Sequence, residues 1–344
     1  MKADLEDLER DEVQPTRPCC GDLPRVPVSW YLFCPSHELR DRPLSKDMLG
    51  TRLVGYRTSD GRPVVMEGRC SHMGADLGSG RVVDDALQCP LHGWEYGPDG
   101  RCRRIPASHE IPPFGRQSCY PAEERAGFVF VFNGREPLFP LPFFPSTSAA
   151  ELVAARPFSV ELDCPWHTVG ANHFDLQHFR AAHDRTPVGE YQVDCPEPFA
   201  RRASCSFQVG GNSFRDRLTR SLAGDRVTMP VVDWCGTLIF VTAEFRKTTS
   251  YGLVNVLPVA EHKARVVVIV FVRKSRRAPC RILFDALNAN IRRYFVKHFL
   301  QADFAMLSTV RYAPSRFIEC DHELAEYYRW LSSAAHGTPH SVKQ

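Results

Sequence analysis

The chain has 344 residues, 43% hydrophobic and 24% charged, a balance that suits one large or two smaller soluble domains. A formal net charge of +3, with no basic arm, gives no reason to expect nucleic acid as a partner. Thirteen cysteines, an odd number, argue against a disulfide framework, and no run of about eighteen apolar residues is present to span a bilayer.

Residues 1–27 open acidic and polar, MKADLEDLERDEVQPTRP, without the basic start and apolar core of a secretory signal. This segment is expected to be a mobile tail, and the protein to be cytoplasmic. Its adjacent pair Cys19-Cys20, like Cys34, Cys102, Cys164, Cys235 and Cys280, is read as free or buried thiol.

From Val28 to Pro140 the pattern is short strands and turns. Apolar runs at Arg52–Tyr56, Val64–Met66 and Phe128–Phe132 are punctuated by Ser59-Asp60-Gly61 and Pro98-Asp99-Gly100. The Pro-rich stretch Pro137–Pro142 marks a boundary. Beyond it, strands are expected at Leu238–Val241, Leu253–Leu257 and Val266–Val272, the last without alternation and therefore buried on both faces. Helices are expected at Asn172–His183, Leu283–Val310 and Glu323–Leu331. The fold class is α+β: an all-β N-terminal domain, then a domain with an antiparallel sheet flanked by helices.

Two ligand patterns lie about eighty residues apart. Cys70-Ser71-His72 and Cys89-Pro90-Leu91-His92 each offer one thiolate and one imidazole from one loop, with Gly74 and Gly93 behind them. Two thiolates and two imidazoles hold either a [2Fe–2S] cluster or zinc. A zinc knuckle more commonly opens on Cys-x-x-Cys, so alternation of Cys and His on two loops favours the cluster. The second pattern is Asp175-Leu176-Gln177-His178 followed by His183. Two histidines and a carboxylate leave open positions on iron(II), and a five-residue spacing places His183 at a distortion or helix end.

The segments Cys70-Ser-His-Met-Gly-Ala-Asp-Leu-Gly, Leu87-Gln-Cys-Pro-Leu-His-Gly-Trp-Glu-Tyr and Gly100-Arg-Cys-Arg-Arg-Ile-Pro106 resemble a Rieske [2Fe–2S] domain. Asn172-x-x-Asp175-x-x-His178-x-x-x-x-His183 resembles the catalytic iron motif of Rieske non-heme iron oxygenases, and the N-terminal half is most similar to the α-subunit-only group. That resemblance implies a cluster on Cys70, His72, Cys89 and His92, and a mononuclear Fe(II) on His178, His183 and a carboxylate of the long C-terminal helix. Asp303 is assigned that role, with Asp285 as rival and His173 left structural. It also implies that Asp175 is catalytic, bonding to His178 on its own chain and to His92 of the next across a homotrimer. The domains then read as tail 1–27, Rieske domain 28–140 and catalytic domain 141–344.

The implied activity uses O2 to oxidise a medium-sized, largely apolar ring compound, by hydroxylation or related mono-oxygenation. N-oxygenation, demethylation and oxidative cyclisation are alternatives, and a Rieske electron carrier is the non-enzymatic one. The sequence has no Gly-x-Gly-x-x-Gly unit and no Cys-x4-Cys-x2-Cys ferredoxin pattern. Electrons are therefore expected from NAD(P)H through a separate reductase, directly or through a ferredoxin. Residues 186–260 carry no resemblance, and substrate contacts are expected there.

Overall fold

The structure, a computed structural model, describes residues 22–40, 42–275, 281–312 and 316–339. Cys19, Cys20 and Cys280 lie outside the described residues. The N-terminal half contains eleven short strands: β1 (Trp30–Pro35), β2 (Leu44–Met48), β3 (Thr51–Arg57), β4 (Pro63–Glu67), β5 (Arg81–Val83), β6 (Ala86–Gln88), β7 (Glu95–Tyr96), β8 (Cys102–Arg104), β9 (Cys119–Tyr120), β10 (Ala122–Arg125) and β11 (Phe128–Phe132). They form three antiparallel sheets, in the orders β1-β11-β10, β2-β3-β4-β9 and β5-β6-β7-β8.

The C-terminal half is built on one antiparallel sheet. Its strands are β12 (Leu152–Ala154), β13 (Phe158–Leu162), β14 (Arg185–Pro187), β15 (Gln192–Glu197), β16 (Ala200–Val209), β17 (Arg226–Trp234), β18 (Leu238–Phe245), β19 (Thr248–Ala260) and β20 (Lys263–Arg273). The order is β12-β20-β19-β18-β17-β16-β14, with β13 also along β20 and β15 also along β16. Among the described residues five α-helices accompany it: α1 (Trp166–Ala171), α2 (Leu176–His183), α3 (Phe214–Leu222), α4 (Arg281–Leu307) and α5 (His322–Ala334).

Strand alternation explains how the halves join. In β11 every residue is buried, yet Phe128, Phe130 and Phe132 enter the large core of the C-terminal sheet while Val129 and Val131 enter a separate N-terminal core with Tyr31, Phe33 and Leu53. Successive strand side chains point to opposite faces, so one strand belongs to two cores. On the far side, β20 is buried from Val268 to Val272, and α4 packs against it.

Two expectations change. Asn172–His183 is not one helix: α1 ends at Ala171, a 3-10 turn covers Asn172–Phe174, and α2 begins at Leu176. Residues 22–27, read with the mobile tail, are tied to the C-terminal half, because Trp166 Nε1 donates to the Pro24 carbonyl at 3.2 Å and His336 Nε2 lies 2.8 Å from the Asp22 carbonyl. Partners outside the segment, Trp166 on α1 and His336 after α5, override its polar composition. Residues 1–21 lie outside the described residues.

Candidate metal centres

The first pattern folds as two copies of one loop. Cys70 N donates to Ala75 O and Gly74 N to Cys70 O. Cys89 N donates to Trp94 O and Gly93 N to Cys89 O, the same offsets of five and four residues. Each loop turns at its glycine, with φ of +73° at Gly74 and +69° at Gly93, where a side chain would be strained. The repeat brings the pairs together: Cys70 is within hydrogen-bonding reach of Cys89, and the rings of His72 and His92 lie 4.8 Å apart.

The cysteines are buried and the histidines exposed, so the imidazole edge faces outward. Trp94 stacks on His72 at 4.6 Å with 6° between the planes, and Phe114 stacks on Trp94. Tyr96 Oη lies 3.1 Å from Cys70 Sγ and 3.0 Å from Ser71 Oγ. Burial pushes the Cys89 thiol pKa up, while the Leu91 and His92 amides, which bond its sulfur, pull the other way. Amides aimed at sulfur, two sulfurs inside and two rings outside fit a two-iron cluster.

The second pattern is assembled from α2 and α4. Asp175, in extended conformation (φ −97°, ψ 98°), caps α2 by accepting from Gln177 N and His178 N. Helix α2 stops at His183, where Asp184 turns left-handed, so the five-residue spacing is resolved at a helix end. On α4, Phe299 and Asp303 are four residues apart and share a face. That face meets α2: Phe299 stacks on His183 at 3.9 Å, and Asp303 Oδ1 lies 2.8 Å from His183 Nε2 and 3.6 Å from His178 Nε2.

The ligand atoms of His178, His183 and Asp303 all fall within 4.8 Å of one another, in a site where Asp303 is 4% exposed. Burial lowers the pKa of His178, against the pull of Asp303, which favours the neutral ring that a metal ligand requires. Two imidazoles and one carboxylate on one side fit an iron with open positions. Asp285 is elsewhere: it is eighteen residues from Asp303, roughly 27 Å along the helix, and accepts from Ser275 N and Oγ. His173 faces the Val169 carbonyl at 3.2 Å.

Two contacts, those of Asn172 and Arg185, were not foreseen in the sequence, and the expected bond from Asp175 to His178 is corrected. Asn172 Nδ2 donates to Asp303 Oδ1 at 3.2 Å and lies 3.3 Å from His178 Nε2; its place three residues before Asp175 was the available signal. Arg185 donates to the His183 carbonyl at 3.0 Å and covers the Phe299 ring. At Asp175 itself, the His178 ring contacts the main-chain carbonyl rather than the carboxylate. The carboxylate is directed at the first amides of α2, which the cap geometry demands.

Comparison with known proteins bears on the first of these centres. Residues 29–115 match the Rieske [2Fe-2S] domain family. Aminopyrrolnitrin oxygenase PrnD of Pseudomonas fluorescens is 34% identical over 181 residues, 49% of each chain. Cholesterol 7-desaturase nvd of Xenopus laevis is 39% identical over 129 residues, 36% of this chain and 28% of that protein. The chain thus spans about half, or less, of the length of these curated relatives. Among solved structures, dicamba monooxygenase bound to 3,6-dichlorosalicylic acid superposes with a TM-score of 0.70 at 19% identity, covering 91% of this chain and 98% of that one. Caffeine-bound NdmA of Pseudomonas putida CBB5 gives 0.69 at 19% identity, covering 92% and 97%. At such identities the structural likeness is one of fold.

Proposed function

We propose that the chain, which carries a Rieske [2Fe-2S] domain, is a Rieske oxygenase that uses O2 and electrons from a separate reductase to oxidise a medium-sized, largely apolar, ring-containing substrate by hydroxylation or a related mono-oxygenation. The observation that carries this reading is the convergence of His178, His183 and Asp303 within 4.8 Å in a chain that also folds the Cys70, His72, Cys89, His92 loops. A pure electron carrier has no use for the second centre.

Cys70, His72, Cys89 and His92 would hold the cluster, and His178, His183 and Asp303 the mononuclear iron. When bound, the cluster supplies one electron at a time at a potential raised by its two histidines, and the iron supplies an O2-activating centre. The chain's own residues hold and shield these groups. Phe299 covers the His183 ring, Asn172 fixes the Asp303 carboxylate, and Tyr96 bonds the Cys70 sulfur. Asp175 is the bridging residue of the proposal, carrying the electron path from His92 of one subunit to His178 of the next in a homotrimer.

The relatives named above carry names of ring-bearing compounds, which supports this substrate class. We place the domain boundary near residue 140, between β11 and β12. The ten free cysteines among the described residues favour a reducing cytoplasm. No described helix is long and apolar enough to cross a membrane.

The test is anaerobic purification with iron and acid-labile sulfide analysis, and EPR of the dithionite-reduced protein. About three irons and two sulfides per chain with a Rieske-type signal support the reading. About two irons with that signal favour the electron carrier, and zinc without sulfide removes the oxygenase reading.

A further inference from the structure

Asp175 stands at the break between the 3-10 turn and α2, and the groups that hold this break lie outside both elements. The preceding residue, Phe174, is 1% exposed. The Tyr327 ring stacks on it at 4.6 Å with 25° between planes, and the Arg201 guanidinium lies 5.6 Å from its centroid. Both groups are anchored in turn. Tyr327 Oη donates to Asp233 Oδ2 at 2.7 Å, and Asp233 Oδ1 accepts from Gly236 N at 2.6 Å. Arg201 reaches Glu323 at 3.4 Å and bonds the Cys195 thiol.

These anchors form a square. Arg201 and Asp233 are direct cross-strand partners on β16 and β17, and Glu323 and Tyr327 are four residues apart on α5. The sheet and the last helix together grip one aromatic ring, and that ring is covalently next to the carboxylate that caps α2.

We infer that Phe174, clamped between Tyr327 and Arg201, is the positioning residue that sets the direction of the Asp175 carboxylate. The inference deepens the proposed electron path and rests on the bridging role given there to Asp175. Leucine at 174 fills much of the site but offers no flat face to stack or to accept a cation. The carboxylate then loses its fixed aim at the amides of Gln177 and His178 without any change in a metal-binding side chain.

Hydrogen–deuterium exchange reads this directly, in the protein with or without its metals, because the Gln177 and His178 amides donate to Asp175. In Phe174→Leu these amides should exchange about tenfold faster while those of β19 and β20 hold their rates. Arg201→Met, which removes the cation and leaves Glu323 at the surface, provides the same test if the first variant does not fold. In the loaded enzyme, reoxidation of the reduced cluster in a single turnover should slow about tenfold in both variants, with iron content retained.

Unchanged exchange at residues 177 and 178 overturns the inference, as does a uniform rise across the sheet, which marks a merely structural role. Faster exchange with parental cluster reoxidation also overturns it, provided Asp175→Asn is slow. Should Asp175→Asn itself reoxidise its cluster at the parental rate, the bridging reading fails, and the exchange data still decide the clamp.

Discussion

A single carboxylate separates the two functional readings of this chain. Asp303 touches both candidate histidines, and Asp303→Ala removes the only acid of this candidate metal site among the described residues. The expected outcome is loss of one iron per chain with both sulfides and the Rieske-type signal kept, and a fall in turnover of about 10²-fold or more. Metal analysis beside EPR checks it. Asp233 supplies a pH dependence away from the metals. Its carboxyl is fully buried, and burial raises its pKa to about 7, against the hydrogen bonds from Tyr327 and Gly236. The unfolded chain releases this proton near the ordinary aspartate value, around 4, whereas the folded chain holds it to about 7. Stability is therefore greatest below the lower value and declines as pH rises through that window. Asp233→Asn should flatten the decline, measured as the difference in urea midpoint between pH 5 and pH 8.

At the scale of elements, what matters is where helices stop. A continuous helix through Asn172–His183 would splay the two histidines and bury no cap. The break at Asp175 and the left-handed turn at Asp184 instead deliver His178 and His183 to the face of α4. Helix α1 is placed by close approach. A methyl group at Gly170 would lie 2.1 Å from Tyr327 Oη and 2.6 Å from Asp233 Oδ2, so Gly170→Ala must push α1 off α5 and β17. Destabilisation of roughly 1–3 kcal/mol is expected for such overpacking, read as a lower midpoint in thermal unfolding. The strands were largely legible. Phe128–Phe132 coincides with β11, and the run Val266–Val272 lies within β20 and is buried at every position but Val267. The break before Asp175 was not legible, because its stabilising contacts come from β16, β17 and α5.

For the whole molecule, the proposed electron path crosses between chains, and this makes a direct prediction. A chain lacking a cluster ligand (His92→Ala) and a chain lacking the iron carboxylate (Asp303→Ala) should each be inactive alone. After subunit exchange, the mixture should regain turnover, since some neighbours then pair an intact cluster with an intact iron site. A mixture that exchanges subunits, shown by mass spectrometry, yet stays inactive would place the path within one chain. The N-terminal half is suited to such docking, because its histidine edge is exposed, with Met73, Leu91 and Phe114 around it.

The two Cys-His loops and the two histidines of α2 were picked out as candidate ligands by sequence alone. Metal chemistry demands particular side chains at short spacings, and a loop such as Cys70–Gly74 needs only neighbouring residues to form. Asp303 was chosen over its rival Asp285 by resemblance, and the packing of α4 on α2 is what brings it, and not Asp285, to the two histidines. Asn172 as a partner of Asp303, Phe299 on His183 and the Arg201–Phe174–Tyr327 clamp were decided by tertiary structure. Their contacts join residues up to 153 positions apart, and sheet register, set by the pairing of whole strands, is what brings Arg201 opposite Asp233.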